Sequence, residues 1–316
     1  GTSSGHIIKL IDDGASLSRP ASGAWATDFT SATVATLSSP LSSDGTNLYF
    51  GGTDNTTATR IFGVQISATT MSSSEKALAK NIGSVGAVTT APTWGVYNGS
   101  TYVFVGSAAI SAQAYIYRAE VAPGGVVNAS YNGPTTNVNG GVNFMNDKVY
   151  AVTEGGALYV LDANNFTMGG FTVRSGFPYQ NSPPSPIRAY PFVDGRADIA
   201  YFGDNSGKLH VVTGTGSALS GYPYSVGSLQ LTSVPCYLRS SGTIAIGASD
   251  GYVYFINRHT DVAGHPAIRK RYFIGTGTVS TVSYNGNSAQ YMMATSDGHL
   301  AYISAADVGT DADGFE

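Results

Sequence analysis

Carboxylates are packed most densely in residues 307–316, Asp-Val-Gly-Thr-Asp-Ala-Asp-Gly-Phe-Glu. Asp311, Asp313 and Gly314 stand at the third, fifth and sixth offsets of a calcium loop, where alternate oxygens converge on a hard cation and a glycine makes the sharp turn. Gly309 fills the first-ligand offset, and no bidentate Glu follows at the closing one. Asp307, Asp311 and Asp313 are therefore weighed as a structural Ca2+ site against a solvated acidic tail or linker, and the tail is favoured. No other cofactor is expected.

The cations gather in one place. Arg258, His259, His265, Arg269, Lys270 and Arg271 fall in the hairpin after an apolar strand at residues 252–256. In a chain so poor in charge, such a patch suits an anionic partner or polysaccharide; the alternative is a solvated outer hairpin. Of this set, Arg258, His259, Arg269, Lys270 and Arg271 are the candidates for partner docking. His6, His210 and His299 each follow a turn, show no metal-ligand spacing and are expected at the rim.

The remaining chemistry-bearing residues are weighed in turn. Cys236 stands alone, so it makes no internal disulfide, and within Val234-Pro235-Cys236-Tyr237-Leu238 it reads as a small buried strand residue. Tyr252/Tyr254 and Tyr115/Tyr117 alternate, which puts each pair on one strand face to fill the space between sheets. Tyr179, Tyr222 and Tyr224 are read as candidates for a flat aromatic surface that contacts sugar or protein. Asn55, Asn98, Asn128 and Asn165 head sequons that permit glycosylation on an exporting route. No H-E-x-x-H pair or G-x-x-x-x-G-K-[ST] loop occurs, so the common zincin and nucleotide routes lack their local geometry. Ser43-Asp44-Gly45-Thr46 has the outline of a sialidase Asp-box without its closing Trp, and reads as a turn.

What must position these residues is a repeated unit: an apolar strand, a small-residue turn with Gly, then an alternating strand. Tyr201-Phe202-Gly203-Asp204-Asn205-Ser206-Gly207-Lys208-Leu209-His210 is the clearest copy. Others run through Gly247-Ala248-Ser249-Asp250-Gly251-Tyr252, Thr295-Ser296-Asp297-Gly298-His299 and Thr153-Glu154-Gly155-Gly156-Ala157. Gly156, Gly207, Gly251 and Gly298 are 44–51 residues apart, the spacing of four-stranded propeller blades. Shorter strands of small and apolar residues precede each hairpin, at residues 37–41, 89–96, 141–145, 187–193, 234–238 and 279–284, and are predicted to be innermost. Outer strands are predicted at residues 222–226 and 271–274, and only residues 73–80 suit a helix.

Six inner strands predict an all-β fold, a β-propeller of four-stranded antiparallel blades with six blades favoured. Seven follow if flanking sequence supplies further strands, because residues 7–11 and 25–29 read as a third and a fourth strand whereas the last blade stops after its third. Residues 1–306 are taken as the propeller and 307–316 as the tail.

These repeats resemble the pyrroloquinoline-quinone-like and integrin-like-repeat β-propellers of secreted proteins. The carrying residues are Gly203-Asp204-Asn205-Ser206-Gly207-Lys208-Leu209-His210 and Gly247-Ala248-Ser249-Asp250-Gly251-Tyr252-Val253-Tyr254, with Gly176-Phe177-Pro178, Gly221-Tyr222-Pro223 and Gly264-His265-Pro266 downstream. The resemblance covers the C-terminal two thirds. Quinone-binding relatives carry tryptophan docking signatures, and several have an adjacent cysteine pair. With only Trp25, Trp94 and one Cys here, the resemblance implies fold and not quinone chemistry.

Composition narrows the function classes. The 316 residues carry 11% charged side chains, against roughly 25% in an average domain, with 40 Gly and 20 Tyr. That excludes coiled coils, and 42% hydrophobic residues exclude a disordered tail. A net charge of −4 removes the basic footprint of nucleic-acid binding. No apolar run approaches the ~20 residues of a membrane span. The expectation is a non-catalytic propeller, secreted or at the cell surface, serving as an interaction or scaffold module in a larger extracellular assembly, with protein or glycan partners. The alternatives are a carbohydrate-binding propeller and a propeller hydrolase, lyase or quinoprotein with its site at the central channel.

Overall fold

A computed structural model describes residues 11–12, 17–18, 34–54, 59–65, 86–121, 127–167, 170–258 and 266–309. The expected strand at 25–29, the helix at 73–80 and all but the last residue of the strand at 7–11 lie outside them. The chain divides into two compact units, residues 1–149 with 161–172, and residues 150–160 with 173–316.

After a two-stranded ladder, β1 (Ile11–Asp12) and β2 (Leu17–Ser18), the described strands form six sheets in chain order. The first holds β3 (Val34–Leu37), β4 (Ser42–Ser43), β5 (Asn47–Asp54) and β6 (Thr59–Gln65); β3 and β4 share one edge of β5 and β6 takes the other. The second is β7 (Thr93–Tyr97), β8 (Ser100–Gly106), β9 (Ile116–Glu120) and β10 (Val127–Tyr131). The third has five, β11 (Gly141–Met145), β12 (Lys148–Val152), β13 (Ala157–Thr167), β14 (Gly170–Val173) and β15 (Tyr179–Gln180), the last pairing with β13.

The fourth sheet comprises β16 (Phe192–Asp194), β17 (Ile199–Gly203), β18 (Lys208–Thr213) and β19 (Tyr224–Ser225). The fifth comprises β20 (Cys236–Leu238), β21 (Thr243–Gly247), β22 (Tyr252–Asn257) and β23 (Ile268–Phe273), and the sixth β24 (Val279–Asn285), β25 (Gln290–Thr295) and β26 (Leu300–Ser304), closed by the turn α1 (Ala305–Val308). The fold is all-β, with the sheet number of a six-bladed propeller. The sixth sheet has three strands among the described residues, as expected of a last blade that stops after its third.

The predicted turns have one geometry. In each of the four copies the residue three before the glycine receives the glycine's N–H, and its own N–H reaches the carbonyl four residues on, as in Gly207 to Asp204 and Asp204 to Lys208. Gly207 sits at φ +80. This is a three-residue hairpin loop closed by a left-handed residue, a conformation that penalises any side chain with a Cβ.

Other glycines serve packing between successive sheets. A Cβ on Gly51 or Gly106 would lie 2.4 Å from Val88 or Val138 respectively. In the second unit, Gly203 and Gly247 would meet Leu231 at 2.4 Å and Val279 at 2.3 Å. At these four positions the first strand of the hairpin carries a residue without a side chain, so that the apolar residue leading to the next sheet lies flat on its backbone. The cores grow from these contacts. Tyr49, Ile61, Val88, Val103 and Val105 form one, in the first unit. In the second unit, Tyr201, Leu209, Leu231, Ile244 and Ile246 form another, and Phe255, Val279, Tyr291 and Met293 a third.

Candidate functional site

The fourth sheet holds the most concentrated polar chemistry. Asp204 closes the β17–β18 turn, its Oδ1 accepting from the Ser206 N–H at 2.8 Å, the Ser206 hydroxyl at 2.7 Å and the Lys208 N–H at 3.1 Å. Its Oδ2 accepts from Asn181 Nδ2 at 3.0 Å and lies 2.9 Å from His210 Nε2. The β15 strand brings Tyr179, whose hydroxyl lies 3.1 Å from His210 Nδ1. The imidazole stacks on Phe202 at 4.9 Å. With a carboxylate on one nitrogen, the neutral ring carries its proton at Nε2 and accepts the Tyr179 hydroxyl at Nδ1. Burial would raise the Asp204 pKa, but His210, Ser206 and the Lys208 N–H outweigh it and hold it below the usual carboxylate value.

An acid, an imidazole and a phenol in line have the parts of a proton relay. Their burial decides otherwise: both Asp204 and His210 are 0% exposed, so no substrate reaches them. The expectation of His210 at the rim is corrected. The segment at 181–185 folds over the turn, with Asn181 bonding Ser185 through both ends of its amide, and seals the imidazole inside.

A second cluster lies between the fourth and fifth sheets. Arg258 Nη1 donates to the Tyr237 hydroxyl at 3.0 Å, and its guanidinium lies 5.1 Å from the Tyr237 ring and 5.8 Å from that of Tyr201. Tyr201 and Tyr237 stack at 5.1 Å, and the Tyr222 hydroxyl donates to the Arg258 carbonyl. Arg239 Nη2 reaches both oxygens of Asp194 at 2.6 Å. Tyr222, 8% exposed, is a core residue, and Tyr179 is tied to His210. The aromatic surface expected from Tyr179, Tyr222 and Tyr224 is thereby corrected, because two of its three rings point inward.

The basic residues of β23 have an internal use as well. Ile268 pairs with Ile256 and Lys270 with Phe255, leaving Arg269 as an extra residue. Such a bulge re-aims side chains. Arg269 Nη1 donates to the Gly309 carbonyl at 2.5 Å and to Thr243 Oγ1, while Lys270 and the Tyr272 hydroxyl donate to the Asp307 carbonyl. Cations thus meet the carbonyls where α1 ends, the favourable pole for them. Arg271 lies over the Tyr252 ring at 5.1 Å. Beside this clamp is an open cleft of about 540 Å³ lined by Leu238, Ser240, Ser241, Tyr284, Ala305, Ala306 and Gly309.

The other sequence candidates are placed as follows. Asp307 is exposed within α1 and contributes its carbonyl to the clamp. Asp311, Asp313, His259, His265, His6 and Asn55 lie outside the described residues, as do the side chains of Asn128 and Asn165. Asn98 is exposed at the β7–β8 turn with φ +48. Among the described residues no group of three or more His, Cys, Asp or Glu is placed to hold a metal ion. Asp44 caps its turn, its Oδ1 accepting from the Thr46 and Asn47 N–H groups and its Oδ2 from the Tyr49 hydroxyl at 2.6 Å. What the sequence reading missed is apolar: Leu300 and Tyr302, 62% and 56% exposed, alternate on β26, and Phe273 is exposed at the end of β23.

No protein-family model and no curated protein matches the chain. Solved structures do. The chain is similar to the WD40 β-propeller domain of Doa1 (16% identity, 96% of this chain and 87% of that one, TM-score 0.56). It is similar also to Sqt1 from Chaetomium thermophilum (12%, 89% and 71%, 0.63) and to Sqt1 of Saccharomyces cerevisiae (10%, 85% and 71%, 0.61). The fold is β-propeller-like. At these identities the likeness shows the fold alone.

Proposed function

We propose that this protein is a non-catalytic propeller module that binds a protein partner through the sixth sheet. The observation that carries the reading is β26. It is the last strand of its sheet, no strand pairs with its outer edge among the described residues, and its exposed positions Leu300 and Tyr302 are large and apolar. An open strand edge offers N–H and C=O groups to an extended segment, and alternate side chains supply specificity. The buried Asp204–His210 pair supports the same reading, since both side chains are fully enclosed and bonded to one another inside the fold.

A compartment outside the cell is part of this proposal. A surface rich in Ser, Thr, Asn and Gly supports it, as does the exposed sequon at Asn98. Among the described residues no helix is long and apolar enough to cross a membrane. The pyrroloquinoline-quinone-like kinship stays within the proposal at the level of the Gly-containing turn and no further.

The test is affinity capture from the source organism's own extract, with the full chain and a Leu300→Asp/Tyr302→Asp variant of matched thermal stability. Partners held by the wild type and lost by the variant support the reading. Identical captures for the two refute it.

A further inference from the structure

We propose that the strand received by β26 is β26 of a second copy of this chain, paired antiparallel about a two-fold axis at Tyr302. This rests on β26 acting as a receiving edge and names its occupant. The ladder within the sheet fixes which groups are on offer. β26 pairs with β25 as Leu300 with Ala294, Tyr302 with Met292 and Ser304 with Gln290. At the two ends of this ladder the Thr295 N–H donates to the His299 carbonyl at 3.0 Å and the Ala305 N–H to the Ala289 carbonyl at 2.9 Å. Hydrogen-bonded and open pairs alternate along an antiparallel ladder. Residues 299, 301, 303 and 305 therefore turn their backbone groups to β25, whereas Leu300, Tyr302 and Ser304 turn their N–H groups to the edge that no strand takes among the described residues.

That outward set is symmetric about Tyr302. In an antiparallel pair centred there, Tyr302 faces the partner's Tyr302, Leu300 faces the partner's Ser304 and Ala301 faces the partner's Ile303. Each outward N–H then meets a residue that also points outward, so one register satisfies both copies at once. The two tyrosines form a cross-strand aromatic pair at the centre. A two-fold axis sets like against like, so a charge close to it would repel its own copy. Residues 300–304, Leu-Ala-Tyr-Ile-Ser, carry none.

Other outer strands are guarded against such pairing. Proteins blunt exposed edges with bulges, charges or very short strands. β10 is bulged between Val127 and Ala129, β19 is two residues long, and β23 is bulged and carries Arg269, Lys270 and Arg271. β26 has none of these devices, and its five residues keep an unbroken register with β25. The chain beyond it leaves the edge clear. Lys270 and Tyr272 hold the Asp307 carbonyl and Arg269 that of Gly309, which draws α1 toward β23.

The experiment combines sedimentation of the full chain with cross-linking that reads the register. Wild-type mass is expected to rise with concentration from one chain to two. Tyr302→Pro removes an outward N–H and leaves the β25 ladder whole, so it should shift that midpoint upward at least about tenfold, the loss of two hydrogen bonds at the axis. Tyr302→Cys places two thiols across the axis, where paired Cα atoms stand about 5.5 Å apart, within the reach of a disulfide. Leu300→Cys places them four residues out of register, about 14 Å apart along the strands. Under mild oxidation Tyr302→Cys should give covalent dimer at least about tenfold faster than Leu300→Cys, with wild type, which has Cys236 alone, as the control. Wild type that keeps the mass of one chain at every concentration would overturn the proposal, as would equal cross-linking of the two cysteine variants. Capture of a different protein through β26 by a chain that stays single overturns the second copy and leaves the receiving edge standing. Loss of both overturns the edge itself, so the two readings fail separately.

Discussion

Asp204 and His210 meet at 2.9 Å across one hairpin, both fully enclosed, and Asn181 and Tyr179 from the preceding segment complete the pair. The four side chains tie the third sheet's exit to the fourth sheet's first turn. Their role is to hold, and the first consequences are for stability.

Removing the imidazole leaves a buried carboxylate short of a donor. His210→Ala is expected to cost about 3 kcal/mol, because breaking one side of a buried pair strands the other. Asp204→Asn, which keeps the shape, should cost about half as much. Urea unfolding of the three proteins checks both, and a His210→Ala loss within experimental error would remove the network from the account.

The same carboxylate sets a pH dependence. Burial raises its pKa, but the His210, Ser206 and Lys208 donors lower it by more, so the folded value lies below the ordinary 3.8. The unfolded chain then takes up the proton first as pH falls. Asp204 therefore contributes its full stabilisation above about pH 4 and loses it as pH drops through the folded value. Asp204→Asn should flatten the fall of stability below pH 4, measured as melting temperature against pH; an unchanged slope would contradict the assignment.

Close packing of successive sheets predicts a contrast between two glycines. Gly247→Ala puts a methyl 2.3 Å from Val279 and should cost about 1–3 kcal/mol through overpacking. Gly286→Ala meets nothing within 4 Å and should be near neutral. Paired denaturation curves decide; equal effects would mean that the Gly247 contact relaxes freely.

Cys236 is partly buried against the last core, and desolvation pushes its thiol up to about 11. Alkylation at pH 8 is expected to run at least about tenfold slower than for a free thiol, and to accelerate toward pH 11. Fast labelling at pH 8 would show an open, activated thiol instead.

The turns and several inner strands were legible because their signals are local, whereas residues 37–41 and 187–193, also read as inner strands, are strand only at Leu37 and at Phe192–Val193. Residues 141–145 and 279–284 were read as strands and appear as Gly141–Met145 and Val279–Asn285. Gly207 and Gly251 were read as turn glycines and have positive φ. Long-range relations were not legible. His210 follows a turn just as His299 does, yet one is enclosed by Asn181 and Ser185 while the other stays exposed, a difference set by a segment twenty-five residues upstream. Gly203 and Gly247 carry no sign in the sequence that they face a side chain of the following sheet. The basic run at Arg269 and Lys270 looked like a docking patch because its acceptors are backbone carbonyls, which composition does not reveal.

The central claim, that β26 receives a strand from a partner, is tested most directly by hydrogen exchange of Leu300–Ser304 with and without the captured partner. Addition of a strand should slow the outward-facing amides of β26 at least about tenfold while the Asp204 turn stays unchanged. Unaltered exchange along β26 in the bound state would contradict it.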